Sequence, residues 1–162
     1  MNCLLAATAA LSLLASPALA SGTHSGEHKH DHEAMTVGKP GDAAAATKSV
    51  DIDMMEMSDG SMMFEPASLD VKAGETVRLE LKNSGELDHE FVIDTDEGIQ
   101  EHKAMMQKMP DMQHDEPNAL RLKPGARGEI VWTFTTPGTF AFACLIPGHY
   151  EGGMKGTITV SQ

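Results

Sequence analysis

The residues best suited to chemistry lie near the C-terminus, in the segment Cys144-Leu-Ile-Pro-Gly-His149-Tyr-Glu-Gly-Gly-Met154. A thiol, an imidazole and a thioether follow one another there at the spacing C-x4-H-x4-M. A second imidazole, His89, opens an apolar stretch some fifty residues upstream. Two imidazoles and a thiolate with a weak axial thioether form the donor set of a blue-copper electron-transfer centre. Sulfur favours Cu(I) and imidazole serves both oxidation states, so a mixed set lets copper change charge with little rearrangement. Taken singly, each residue has a plainer reading. Cys144 suits a buried core thiol, His89 a satisfied core histidine and Met154 a packing residue. A neighbouring Met or a carbonyl is an alternative axial donor to Met154.

These donors need a scaffold, and the surrounding pattern supplies one. Val77, Leu79 and Leu81 alternate with Arg78, Glu80 and Lys82, the period of a half-buried strand. Similar stretches occur at residues 51–57, 62–71, 89–94, 129–135, 139–144 and 156–161, separated by Ser-Asp-Gly, Asn-Ser-Gly, Lys-Pro-Gly and Pro-Gly turns. In the excursion between Glu97 and Asn118, the run EHKAMMQKM has helix-forming composition and stops at Pro110. Short strands at regular intervals with one brief helix predict an all-β fold, an antiparallel Greek-key β-sandwich.

The ends of the chain read differently. Residues 1–20 form a charge-free apolar run closing on Ala18-Leu19-Ala20, the pattern of a cleaved signal peptide. Export to the periplasm is therefore expected, with no stable membrane insertion after cleavage. Cys3 leaves with the signal, so Cys144 is expected to be the one thiol of the exported chain. In an oxidising compartment such a thiol calls for an occupant, either a metal or an intermolecular disulfide. Residues 21–49 are rich in Gly, Ala, Ser and charge, and predict a disordered leader before a domain at 50–162.

Two further groups carry donor atoms. His24, His28, His30 and His32 alternate along the leader and are candidates for gathering additional copper. Met105, Met106, Met109 and Met112 recur near helical spacing, flanked by His102 and His114, while Met54, Met55, Met57, Met62 and Met63 cluster elsewhere. Such methionines serve either core packing or Cu(I). The net charge of −12 argues against nucleic acid and anionic membranes as partners. No Ser-His-Asp arrangement or carboxylate pair stands out. The His-x-His alternation that extra copper centres require occurs only in the leader, so catalysis is not expected.

The Cys, Pro-Gly-His and Met-Lys-Gly order of residues 144–156 resembles the ligand loop of azurins. The stretch His89-Glu-Phe-Val-Ile93 is similar to the cupredoxin segment carrying the upstream histidine ligand. With its His-rich leader and Met-containing excursion, the chain resembles the CopI-type periplasmic cupredoxins of copper tolerance. That resemblance implies one type 1 copper at His89, Cys144, His149 and Met154. It also implies a role in copper tolerance through redox cycling and sequestration, with a periplasmic redox or copper-handling protein as partner. Electron shuttling between such partners is the alternative. The interval from His149 to Met154 is one residue longer than in azurins. The extra carbonyl ligand of azurins would fall on Asp88, and that role is not carried over to this chain.

Overall fold

The computed structural model describes residues 35–110 and 116–162. Ten strands and one helix follow in chain order: β1 (Gly38–Pro40), β2 (Lys48–Glu56), β3 (Met62–Glu65), β4 (Ser68–Lys72), β5 (Thr76–Asn83), β6 (His89–Asp94), α1 (Asp96–Met106), β7 (Ala119–Leu122), β8 (Arg127–Phe134), β9 (Gly138–Ala143) and β10 (Lys155–Ser161). They form two five-stranded sheets, ordered β1-β8-β5-β2-β3 and β4-β10-β9-β6-β7. The sandwich is as the alternation predicts, but the sheets are mixed, because β2 pairs parallel with β5 and β4 parallel with β10.

The core between the sheets is built from the alternating positions. Val77, Leu79 and Leu81 of β5 meet Ile130, Trp132 and Phe134 of β8, with Phe140 and Phe142 of β9 and Ile158 and Val160 of β10 from the other sheet. Below the ligand end, Phe64, Phe91 and Phe142 form an aromatic cluster with ring centroids 5.0–5.5 Å apart. Edge-to-face and offset contacts of this kind add to the gain from burial alone.

Strand β6 is buried on both faces, which a simple alternation does not anticipate. The reason is α1. Its Ile99 and Met106 pack with Val92, Ala143 and Leu145 on the outer side of the second sheet. Thr95 caps the helix by accepting the Gly98 amide on its Oγ1, and Asp96 and Glu97 complement the positive end of its dipole.

Three expectations are corrected. The predicted strand over 62–71 is two strands in different sheets. Pro66 has no N–H to continue a ladder, and the chain crosses from one sheet to the other at Pro66-Ala67. Strand β7 lies between the excursion over residues 97–118 and the Lys-Pro-Gly turn, where the sequence pattern predicts no strand. Its Leu122 carbonyl accepts from Asn83, and Asn118 just before the strand donates to the Ile93 carbonyl of β6, both in buried hydrogen bonds. Order also begins well before residue 50: Val37 is fully buried and β1 pairs with Trp132–Phe134 of β8. Residues 35–49 therefore belong to the folded domain, because one apolar anchor and a ladder with β8 offset the cost of ordering them. The remainder of the leader, with His24, His28, His30 and His32, lies outside the described residues.

Candidate metal centre

His89, Cys144 and His149 come together at one end of the sandwich, from the start of β6 and the loop between β9 and β10. One donor atom from each lies within 4.8 Å of the others. The Nδ1 atoms of His89 and His149 are 3.2 Å apart, and Cys144 Sγ is 3.4 Å from His149 Nδ1. Met154 is fully buried at the far end of the same loop.

The loop braces itself. Cys144 donates its amide to the Met154 carbonyl and Met154 donates to the His149 carbonyl, so Cys144, His149 and Met154 share one backbone network. His149 also donates to Ile146, which closes a tight turn over Pro147 and Gly148. Gly148 has φ +91°, a conformation that side chains with a Cβ rarely adopt. From outside, Met62 of β3 donates its amide to the Gly152 carbonyl. On the helix side, Lys103 bonds Glu151 and lies over the Tyr150 ring, and Gln100 donates to the Tyr150 hydroxyl.

His89 is held by the turn that precedes it. Asn83, fully buried, donates to the Leu87 and Leu122 carbonyls and accepts the Gly85 amide. The Glu90 amide then donates to Cys144 Sγ at 3.3 Å, tying the first strand of the site to the thiol.

Burial governs the protonation of the centre. It pushes the Cys144 thiol up to about 12, against a smaller opposing pull from the amides of Glu90 and Ile146. Burial lowers both imidazoles; the nearby Glu56 carboxylate partly offsets this at His89, and His89 itself adds to it at His149. Burial thus disfavours charge on both imidazoles and on the thiol alike. His149 alone keeps solvent contact, with 8 % of its surface exposed against 0 % for His89, Cys144 and Met154.

The donor chemistry fits copper well. Soft sulfur and borderline imidazole nitrogens converge in a buried pocket braced by backbone hydrogen bonds, and carboxylate oxygens are absent from the cluster. The sequence profile of copper-binding proteins of the plastocyanin/azurin family matches residues 51–161. The chain belongs to this family. As a cupredoxin with this donor group, it takes one type 1 copper as its cofactor.

Individual relatives agree. This cupredoxin is 50 % identical over 137 residues to the copper-resistant cuproprotein CopI of Rubrivivax gelatinosus, covering 85 % of this chain and 80 % of that one. It is 38 % identical to the protein of the same name from Pseudomonas aeruginosa, over 76 % of this chain and 81 % of that one. Among solved structures, auracyanin B superposes with a TM-score of 0.62 at 27 % identity, covering 77 % of this chain and 96 % of the other.

The remaining candidate donors are distributed differently. Met106 is fully buried in the packing under α1, whereas Met105 and Met109 are exposed. The helix thus separates Met106 from its neighbours, because residues one apart on a helix face different directions. Met54 is likewise a core residue, and Met57 is exposed. Met112 and His114 lie outside the described residues. No described helix is long and apolar enough to cross a membrane. Two residues of the site were not singled out from sequence, Asn83 and Glu56. Glu56 left a trace: it continues the inward positions Ile52 and Met54 of β2 with a carboxylate where the pattern calls for an apolar side chain.

Proposed function

We propose that this cupredoxin is an exported copper-resistance protein that holds its copper between His89, Cys144, His149 and Met154. The convergence of one buried thiol and two imidazole Nδ1 atoms carries this reading. The names of its copper-resistance relatives support the physiological part. When bound, copper supplies a one-electron couple between Cu(I) and Cu(II). The chain's own contribution is rigidity and exclusion. Cys144 would give up its proton to become the thiolate donor, His89 and His149 would present neutral Nδ1 lone pairs, and Met154 would supply a thioether. Burial of three of the four keeps water and competing ligands out, which suits retention of the ion as well as cycling. Residues 1–20 would direct export, and the histidines upstream of the domain would collect or buffer further copper.

Electron shuttling between periplasmic partners is a second reading, favoured by the solvent contact of His149, where a redox partner could approach. Deleting the protein from its host separates the two: copper hypersensitivity with normal respiration supports resistance, and a respiratory defect at low copper supports shuttling. Binding rather than catalysis is the role assigned in both.

Adding Cu(II) to the purified protein tests the centre. An intense thiolate-to-copper absorption band with a matching EPR signal, both lost in Cys144→Ser, is the expected result. A colourless protein whose thiol remains titratable would refute it.

A further inference from the structure

Behind His89, away from the other donors, stands a carboxylate. Glu56 Oε1 lies 3.0 Å from His89 Nε2, at ion-pair distance though off the line of an ideal hydrogen bond. The imidazole is fully buried, whereas the Glu56 side chain keeps 20 % of its surface in solvent. Both carboxylate oxygens are anchored: Oε1 accepts the Leu87 amide and Oε2 the Glu86 amide, each at 2.9 Å. The carboxylate also needs the glycine at 85, since a Cβ there would stand 2.2 Å from Oε2. Strand β2, the 84–87 turn and the first residue of β6 therefore meet at one carboxylate. Nothing in the folding of a sandwich requires this, because an apolar residue would continue the inward face of β2.

We propose that Glu56 is a positioning residue for the copper ligand His89. It keeps the imidazole proton on Nε2 and the Nδ1 lone pair toward the centre, and its charge favours Cu(II) over Cu(I). The inference rests on the assignment of His89 as a ligand. Outer partners of this kind fix the tautomer and orientation of a ligating histidine and raise its basicity, and losing one commonly costs about 10- to 100-fold in metal affinity. A fixed negative charge beside the ligand opposes the loss of positive charge on reduction, so the oxidised state gains more from it.

Two variants test this in the full chain. Glu56→Gln removes the charge in place, and Gly85→Ala keeps the charge but pushes the carboxylate off its seat. Both are read with Cu(II) and Cu(I) competition assays, redox titration of the copper-loaded protein, and nitrogen NMR of the His89 ring in the metal-free protein. The expected result is an intact thiolate-to-copper band with Cu(II) affinity down about tenfold or more. Cu(I) affinity should change less, and each decade of difference raises the potential by about 59 mV. In the metal-free variants the proton should no longer be confined to Nε2 of His89. Should Glu56→Gln fail to fold, Gly85→Ala carries the same expectation. Folded variants with the band, both affinities, the potential and the tautomer unchanged would overturn the role of Glu56 and leave the copper centre standing. A wild-type protein without the band would overturn both.

Discussion

At the scale of single residues, the centre couples copper uptake to protons. The thiol of metal-free Cys144 is held up to about 12 and both imidazoles are held low, so at pH 7 only the thiol carries a proton that must leave. Copper binding at pH 7 should release about one proton, measurable by calorimetry in buffers of different ionisation enthalpy. The same shifts set the stability of the metal-free fold. The thiol's folded value lies above its unfolded value of about 8.5, so its contribution is complete below that pH and is lost progressively above it. The imidazoles are shifted the other way, and their contribution is lost as pH falls below about 6.5. Denaturant midpoints of the metal-free protein should therefore peak between these values, and a flat profile would contradict the burial of the three groups. That Cys144 and His149 meet was legible in sequence because they sit close together in one loop. Glu56 was not, because its meaning depends on a turn thirty residues away in the chain.

At the scale of elements, the site is a seam between three supports: the 83–87 turn, α1 and β3. The contacts of the first two should differ in size. Asn83→Ala would strand the Leu87 and Leu122 carbonyls and the Gly85 amide, and should cost about 1–3 kcal/mol, read by chemical denaturation. Ile99→Ala would open the packing between α1 and the second sheet at a cost of about 2–5 kcal/mol. Lys103→Ala breaks an ion pair whose acid partner is half exposed, and should cost less than 1 kcal/mol. If Lys103→Ala proved the most damaging of the three, the loop would be held electrostatically and the packing account would fail. The long strands β5, β8 and β10 were legible because each buries one face and leaves the other in water. Strand β6 hid its second buried face because the covering helix lies after it in sequence, and β7 is too short for periodicity to reveal. Pro66, in contrast, marked the sheet crossing openly, although the apolar residues on either side suggested a single strand.

For the whole molecule, charge and order are the governing features. A net charge of −12 creates a long-range field that attracts cationic partners and is screened within about 8 Å at physiological salt. If the protein exchanges electrons with a cationic partner, the association rate should fall steeply as salt is raised, as stopped-flow measurements can show. Copper stoichiometry above one, returning to one when residues 21–34 are removed, would assign the additional copper to the leader histidines. The deletion must stop there, because removing residues up to 49 would also remove Val37 and β1 and lower the melting temperature.

That short first strand has a consequence for how the molecule behaves among its own copies. Strand β8 is eight residues long and carries Ile130, Trp132 and Phe134 on its inward face, and β1 covers its outer ladder from Trp132 to Phe134. In its place β1 presents three residues ending in Lys39 and Pro40, a poor template for another chain to pair with. Proteolytic loss of residues 35–40 would bare the edge of β8 while leaving the copper ligands intact. The trimmed protein should then retain its metal and yet self-associate through that edge, so its solubility would depend on a segment that touches no copper ligand.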